Sequence, residues 1–393
     1  MRATAWLLLG LPLGCLSGCF TDPTDTSASG AAETTSGSGA DASTTAPTPS
    51  SSSSTDPTLD PGSASGEGTT SSTGGSSEST AADSTSTGSD DGSTSTGAGS
   101  TSTSAAAECG DDVLDAGEAC DGEALGGVDC NAFGFASGTL GCADDCAFAF
   151  EGCVAPEGMV FIPEGEFEMG STDALEEQPV RTVTLSGYFI GITEVTAGDY
   201  ADCVNAMFCP VPMSTANPSF DDECNYGRED RLDHPINCTG FNQAAAYCNW
   251  LDQRLPTEAE WERAARSTDA RRYPWGNTPE PSCIHAVMND GGIGCGEEST
   301  FAVMSKPPGV SEDGLHDMVG NVWEWVSDYY GPYNPAETLN PTGPALPADR
   351  ILRGGGWFQA APADFTVTHR HEVQPNLSDA FIGFRCVAEL QVP

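Results

Sequence analysis

Hydrophobic positions are spread unevenly along the 393 residues, and their pattern divides the chain before any motif is considered. An apolar run from Trp6 to Leu9, continuing to Leu16, follows a single early cation, Arg2. Residues 20–107 then hold almost nothing but Ser, Thr, Gly, Ala, Pro and Asp. From about residue 158 apolar and polar positions mix as they do in a domain with a core, and every tryptophan after Trp6 lies from Trp250 onward. Two helices read clearly in that part. Asn242 to Leu251 is built of good helix formers, with Ala245, Cys248 and Leu251 at a three-residue spacing that turns one stripe inward. Thr257-Glu-Ala-Glu260 is a capping box entered from Pro256, and its helix runs through Trp261 to about Arg266. Val180 to Leu185 alternates outside and inside, the period of a half-buried strand. Gly, Pro and Asn punctuate the remainder, so residues 158–390 predict a loop-rich α+β domain.

Composition sharpens this division. With 14 basic against 58 acidic side chains, a formal charge of −44 and 38% hydrophobic residues, the chain is neither a polytopic membrane protein nor a basic nucleic-acid binder. The first 18 residues have the layout of an export signal, too short to span a bilayer. Leu16-Ser17-Gly18-Cys19 resembles the bacterial lipobox, which implies lipidation of Cys19, and the following Phe20 resembles Gram-negative lipoproteins sorted to the outer membrane. Leu13-Gly14-Cys15 is a poorer match, and an ordinary secretory cleavage site is the alternative. Residues 19–107 cannot bury enough apolar surface to offset their ordering entropy and read as a disordered tether. Coil statistics give it a reach of roughly 50 Å. Its eleven carboxylates, unopposed by any Lys or Arg, extend it further. The expected location is therefore outside the cytoplasm, held to a membrane through the N-terminal lipid alone.

Residues 108–154 carry cysteines at 109, 120, 130, 142, 146 and 153. So many cysteines in a small exported segment imply three disulfides, in any of 15 pairings. Zinc at Cys142 and Cys146 is the weaker alternative, because no His precedes His234. The run from Cys109 to Gly122 resembles short cysteine-rich repeats of bacterial surface proteins, which implies a rigid spacer.

Eight words of the last segment occur in a recognisable order: Phe167-Glu-Met-Gly170, Glu194 to Tyr200, Ala246 to Trp250, Arg254 to Glu262, Tyr273 to Asn277, Gly314 to Trp325, Arg353 to Gly356, and Gly383-Phe-Arg-Cys386. Together they resemble the formylglycine-generating enzyme (sulfatase-modifying factor) family over Gly158 to Leu390. The resemblance implies an irregular variant of the C-type lectin fold. It also implies an oxidase that converts a sulfatase cysteine to formylglycine, with copper held by two cysteines five apart just after a Gly-Gly-Ser word. Here that word ends in Gly356, and no cysteine occurs from Arg353 to Arg385. Copper is therefore not expected, and the domain is expected to bind or scaffold an unidentified protein, peptide or glycan. The alternative is an oxygen-dependent oxidase, of the family type or with a non-haem metal. Gln359, Asp364, His369 and His371 are its candidate residues. The resemblance further implies a structural calcium ion on the side chains of Asp317 and Glu324 and the carbonyls of Gly320 and Val322, hard donors that suit calcium. It pairs Cys248 with Cys386. Cys203 with Cys209, Cys224 with Cys238, and Cys283 with Cys295 are near enough in sequence for local bridges, leaving no spare thiol.

Overall fold

The computed structural model describes residues 109–213, 222–346 and 349–393. The N-terminal apolar run, Cys19 and the Ser/Thr-rich stretch lie outside the described residues. Among the described residues no helix is long and apolar enough to cross a membrane.

The cysteine-rich module is two small ribbons. Strand β1 (Ser137–Gly138) pairs with β4 (Cys153–Val154), and β2 (Gly141–Cys142) pairs with β3 (Phe148–Ala149). Disulfides Cys109–Cys146, Cys120–Cys142 and Cys130–Cys153 select one pairing from the 15. The module does not stand apart from the domain that follows but shares a core with it. Phe135 meets Phe161 and Phe189 edge-on at centroid distances of 4.9 and 4.8 Å. Phe133, Phe148, Phe150 and Leu390 fill the same cluster.

The domain continues through β5 (Met159–Ile162), β6 (Gly165–Met169), β7 (Arg181–Leu185), β8 (Tyr188–Gly191) and three helices, α1 (Ala197–Asn205), α2 (Phe241–Trp250) and α3 (Glu258–Arg266). It ends with β9 (Trp323–Tyr329), β10 (Arg350–Arg353), β11 (His371–Val373), β12 (Ile382–Gly383) and β13 (Val387–Glu389). Three sheets result, in the orders β13-β8-β5, β6-β7 and β11-β10-β9-β12, with β12 parallel to β9. In β7 Val183 and Leu185 are buried while Thr182 is exposed, as the alternation requires. Val180 precedes the strand and is exposed.

Helix α2 lies where its composition placed it but is rotated from the expected stripe. Gln243, Ala244, Tyr247 and Cys248 face inward, whereas Ala245 is half-buried and Leu251 is exposed. The reason is Tyr247, whose ring stacks on Tyr200 of α1 at 5.7 Å and meets Phe384 at 5.6 Å. Helix α1 was not foreseen, although Thr196 caps it by accepting a hydrogen bond from the Asp199 amide. In α3 the capping box forms at both ends, Thr257 Oγ1 accepting from the Glu260 amide and Glu260 Oε2 from the Thr257 amide at 2.7 Å. All nine α3 residues are buried, charged ones included. Each charge meets an opposite: Glu258 with Arg370, Glu260 with Arg254, Glu262 with Arg353 and Arg266, and Arg263 with Asp313. Hydrogen-bonded pairing is the condition on which charges tolerate burial.

Candidate functional site

Two of the sequence-predicted sites lie on the turn and strand from Asp317 to Trp325 and on the C-terminal segment that faces it. The turn needs left-handed backbone at Asp317 (φ 55°), Gly320 (φ 82°) and Asn321 (φ 59°). Only glycine fits at 320, since a Cβ there would come within 2.8 Å of both Ala286 Cβ and Val287 O. Buried Asn321 fixes the turn, its Oδ1 accepting from the Phe301 amide at 3.0 Å. Asp317 Oδ2 accepts from the Met304 amide at 2.6 Å. Glu324, on β9, is fully buried and accepts from Arg385 at both oxygens, at 2.7 Å each, and from Trp261 Nε1 at 2.8 Å.

Glu194 stands inside one of the family words, where its sequence context gave it no role. It is 1% exposed, and neither carboxylate oxygen has a hydrogen-bond partner among the described residues. Burial, reinforced by the charges of Asp317 and Glu324, holds its carboxyl well above the usual carboxylate range. Burial raises Asp317 too, against the Met304 amide and Arg385. Of these three acids, Glu324 is the one hydrogen-bonded to Arg385, and the Lys306 ammonium donates to the Cys283 carbonyl at 2.8 Å. The buried oxygens left unpartnered are those of Glu194, hard donors of the class calcium takes, although the three acids do not bring ligand atoms within 4.8 Å of one another.

The second site is the set of candidate residues on the C-terminal segment facing Trp323. His369 and His371 both lie beside one indole, with centroids 5.6 and 5.3 Å from Trp323, which is itself 3% exposed. Burial lowers the pKa of both imidazoles, against the opposing pull of Asp364, and for His371 also of Glu372. His371 is exposed as a residue, yet its ring is shielded where it leans on Trp323. Gln359 turns back on the chain, its Oε1 accepting from the Gly356 amide at 3.0 Å. A Cβ at Gly356 would press on Phe381 and Trp323 at 3.1–3.2 Å, so the missing hydroxyl of that word is matched by missing space.

The two histidines and Asp364 do not converge. Among the described residues, the set of three His, Cys, Asp or Glu ligand atoms lying within 4.8 Å of one another is Glu118, Asp121 and Cys146. Cys146 is bonded to Cys109 there, and the Asp121 carboxylate is taken by the amides of Gly110, Asp111 and Asp112. A two-histidine-one-carboxylate iron centre is thus not assembled. Copper does not fit either: all fourteen described cysteines are in disulfides, including Cys203–Cys209, Cys224–Cys238, Cys248–Cys386 and Cys283–Cys295.

The chain is 32% identical over 291 residues to the formylglycine-generating enzyme of Thermomonospora curvata, covering 59% of this chain and 94% of that protein. It is 31% identical over 288 residues to a Mus musculus protein named inactive C-alpha-formylglycine-generating enzyme 2, covering 60% and 87%. The structure of PvdO from Pseudomonas aeruginosa is similar with a TM-score of 0.52 and 26% identity, covering 64% of this chain and 98% of that one. The architecture is accordingly the loop-rich α+β, C-type-lectin-like fold. Residues 149–390, starting inside the cysteine-rich segment, match the sulfatase-modifying factor enzyme 1-like domain, so the chain belongs to the family of the formylglycine-generating enzymes.

Proposed function

We propose that this chain is an exported, lipid-anchored protein whose family domain binds or scaffolds a ligand rather than oxidising cysteine. The observation that carries this reading is the lack of any free thiol among the described residues, together with the cysteine-free stretch from Arg353 to Arg385. Copper(I) favours soft thiolate donors, and no free thiol stands among the described residues to supply them. The test incubates the purified full chain with copper, oxygen and a Cys-x-Pro-x-Arg peptide and follows the peptide mass. No aldehyde above the blank is expected, and turnover would sink the reading. One observation favours the enzymatic alternative. The Cys224–Cys238 disulfide packs in the same cluster as Trp357 and Phe381, so the assay is repeated after mild reduction, which would free two thiols there.

The buried carboxylates of Asp317 and Glu324 on a tight left-handed turn support a structural calcium ion held by them with the carbonyls of Gly320 and Val322. Bound calcium would supply two positive charges and brace loops that have few ladder hydrogen bonds. Chelation should lower the thermal midpoint, and Asp317→Asn should abolish the difference between calcium and chelator. An unchanged midpoint in wild type would remove the ion from the account. Anchoring rests on Cys19 and the apolar run before it. Labelled palmitate should enter the wild-type chain and fractionate with the outer membrane, while Cys19→Ser should be unlabelled and soluble.

A further inference from the structure

The cysteine-rich module and the family domain share a core but do not close flush. Between them lies an apolar groove of about 470 Å³, none of whose lining residues belongs to the sites described above. Phe148 and Phe150 line it from the module, and Phe161, Pro163 and Leu390 from the domain. The three rings and Leu390 are half-buried, so each keeps apolar surface in contact with water. They are also held in place: Phe148 lies edge-on to Phe133 at 4.9 Å, Phe150 stacks on Phe135 at 5.2 Å, and Phe161 meets Phe150 at 5.4 Å. Gly187 lines the groove as well, and a Cβ there would come within 3.1 Å of the Phe161 ring and 3.3 Å of Leu390. A preformed apolar concavity of this volume lies within the range of specific ligand sites and spares a ligand the cost of ordering its walls.

Charge narrows the occupant. The ionisable residues lining the groove are Glu151 and Glu164, both exposed, and no basic side chain lines it. Glu151 belongs to the module and Glu164 to the domain, so each wall contributes one carboxylate. With the chain at −44, an anionic ligand is repelled at long range and again at the rim. A ligand with a single charged head would satisfy one wall only. We infer that the groove takes a peptide segment of a partner protein, one that seats an aromatic or long aliphatic side chain between two Lys or Arg residues. The inference is independent of whether the domain oxidises cysteine, since no groove residue lies in the Trp323 site or the acid cluster.

The test uses the full chain and a fluorescent Arg-Phe-Leu-Arg peptide blocked at both ends, read by anisotropy at low ionic strength. Saturable binding is expected, weakening as salt rises. Ala147→Trp fills the groove from an exposed position, and the pair Glu151→Lys with Glu164→Lys reverses its rim. Each should weaken binding at least tenfold, and the Glu-Phe-Leu-Glu analogue should not bind. Should Ala147→Trp fail to fold, the rim pair, at two exposed positions, still decides. Equal binding by both variants, or binding of the acidic analogue, would overturn the inference. So would failure of the basic peptide to saturate, including the case in which dodecyltrimethylammonium binds in its place.

Discussion

Asp328 is the titratable residue whose behaviour is most distinctive. It sits on β9, buried, with Oδ2 accepting from the Glu258 amide at 2.9 Å and the Ser327 hydroxyl at 3.2 Å. Burial first, and the Glu258 charge second, raise its pKa from 3.8 to about 7. Because the folded value lies above the unfolded one, the native state keeps a proton that the unfolded chain releases. This residue's contribution therefore erodes stability as pH rises from roughly 4 to 7, by up to about 1.4 kcal/mol per pH unit. Urea unfolding of Asp328→Asn at pH 5 and pH 8 should show a flatter dependence than wild type, and an unaltered slope would mean that another group titrates. Arg385 is the complementary case: Arg385→Met leaves Glu324 buried with its charge unmatched, and unfolding should be easier by about 3–5 kcal/mol. Both carboxylates of the predicted calcium set were legible from their place in a family word. The burial of Glu194 with both oxygens unpartnered was not, because it depends on how segments far apart in the chain pack together.

At the level of elements, legibility followed how local the determinants are. Helix α3 was readable to its last residue because a capping box acts within one turn. Thr257→Ala should cost about 1 kcal/mol in denaturant titrations, and a negligible effect would show that tertiary packing alone holds the helix end. The charges along α3 gave no hint of burial, since partners such as Arg353 and Arg370 arrive from segments far along the chain. Helix α1 was missed although Thr196 with Asp199 is an N-cap signal, and Gly198 lowers the local helix propensity. The existence of α2 was correct and its inward face was not. Spacing places apolar residues on one stripe, but Tyr200 and Phe384 decide that Tyr247 turns inside while Leu251 remains in water.

Across the whole molecule, disulfides join what the short sheets hold weakly. Cys248–Cys386 bridges a separation of 138 residues, and replacing both cysteines with serine should cost about 4–5 kcal/mol in unfolding free energy. A loss below about 1 kcal/mol would locate the stability in the cores alone. The sequence by itself determined the loop-rich α+β class, the family, the α3 capping box and the lack of cysteine between Arg353 and Arg385. These are facts of composition, short-range geometry or residue identity, which survive without any knowledge of how the chain returns on itself. Tertiary structure decided the pairing of the six module cysteines, the shared phenylalanine core, the burial of Glu194 with both oxygens unpartnered, and the failure of Asp364, His369 and His371 to converge. Each of those depends on distances between residues far apart in the chain, and a linear pattern carries no such distances.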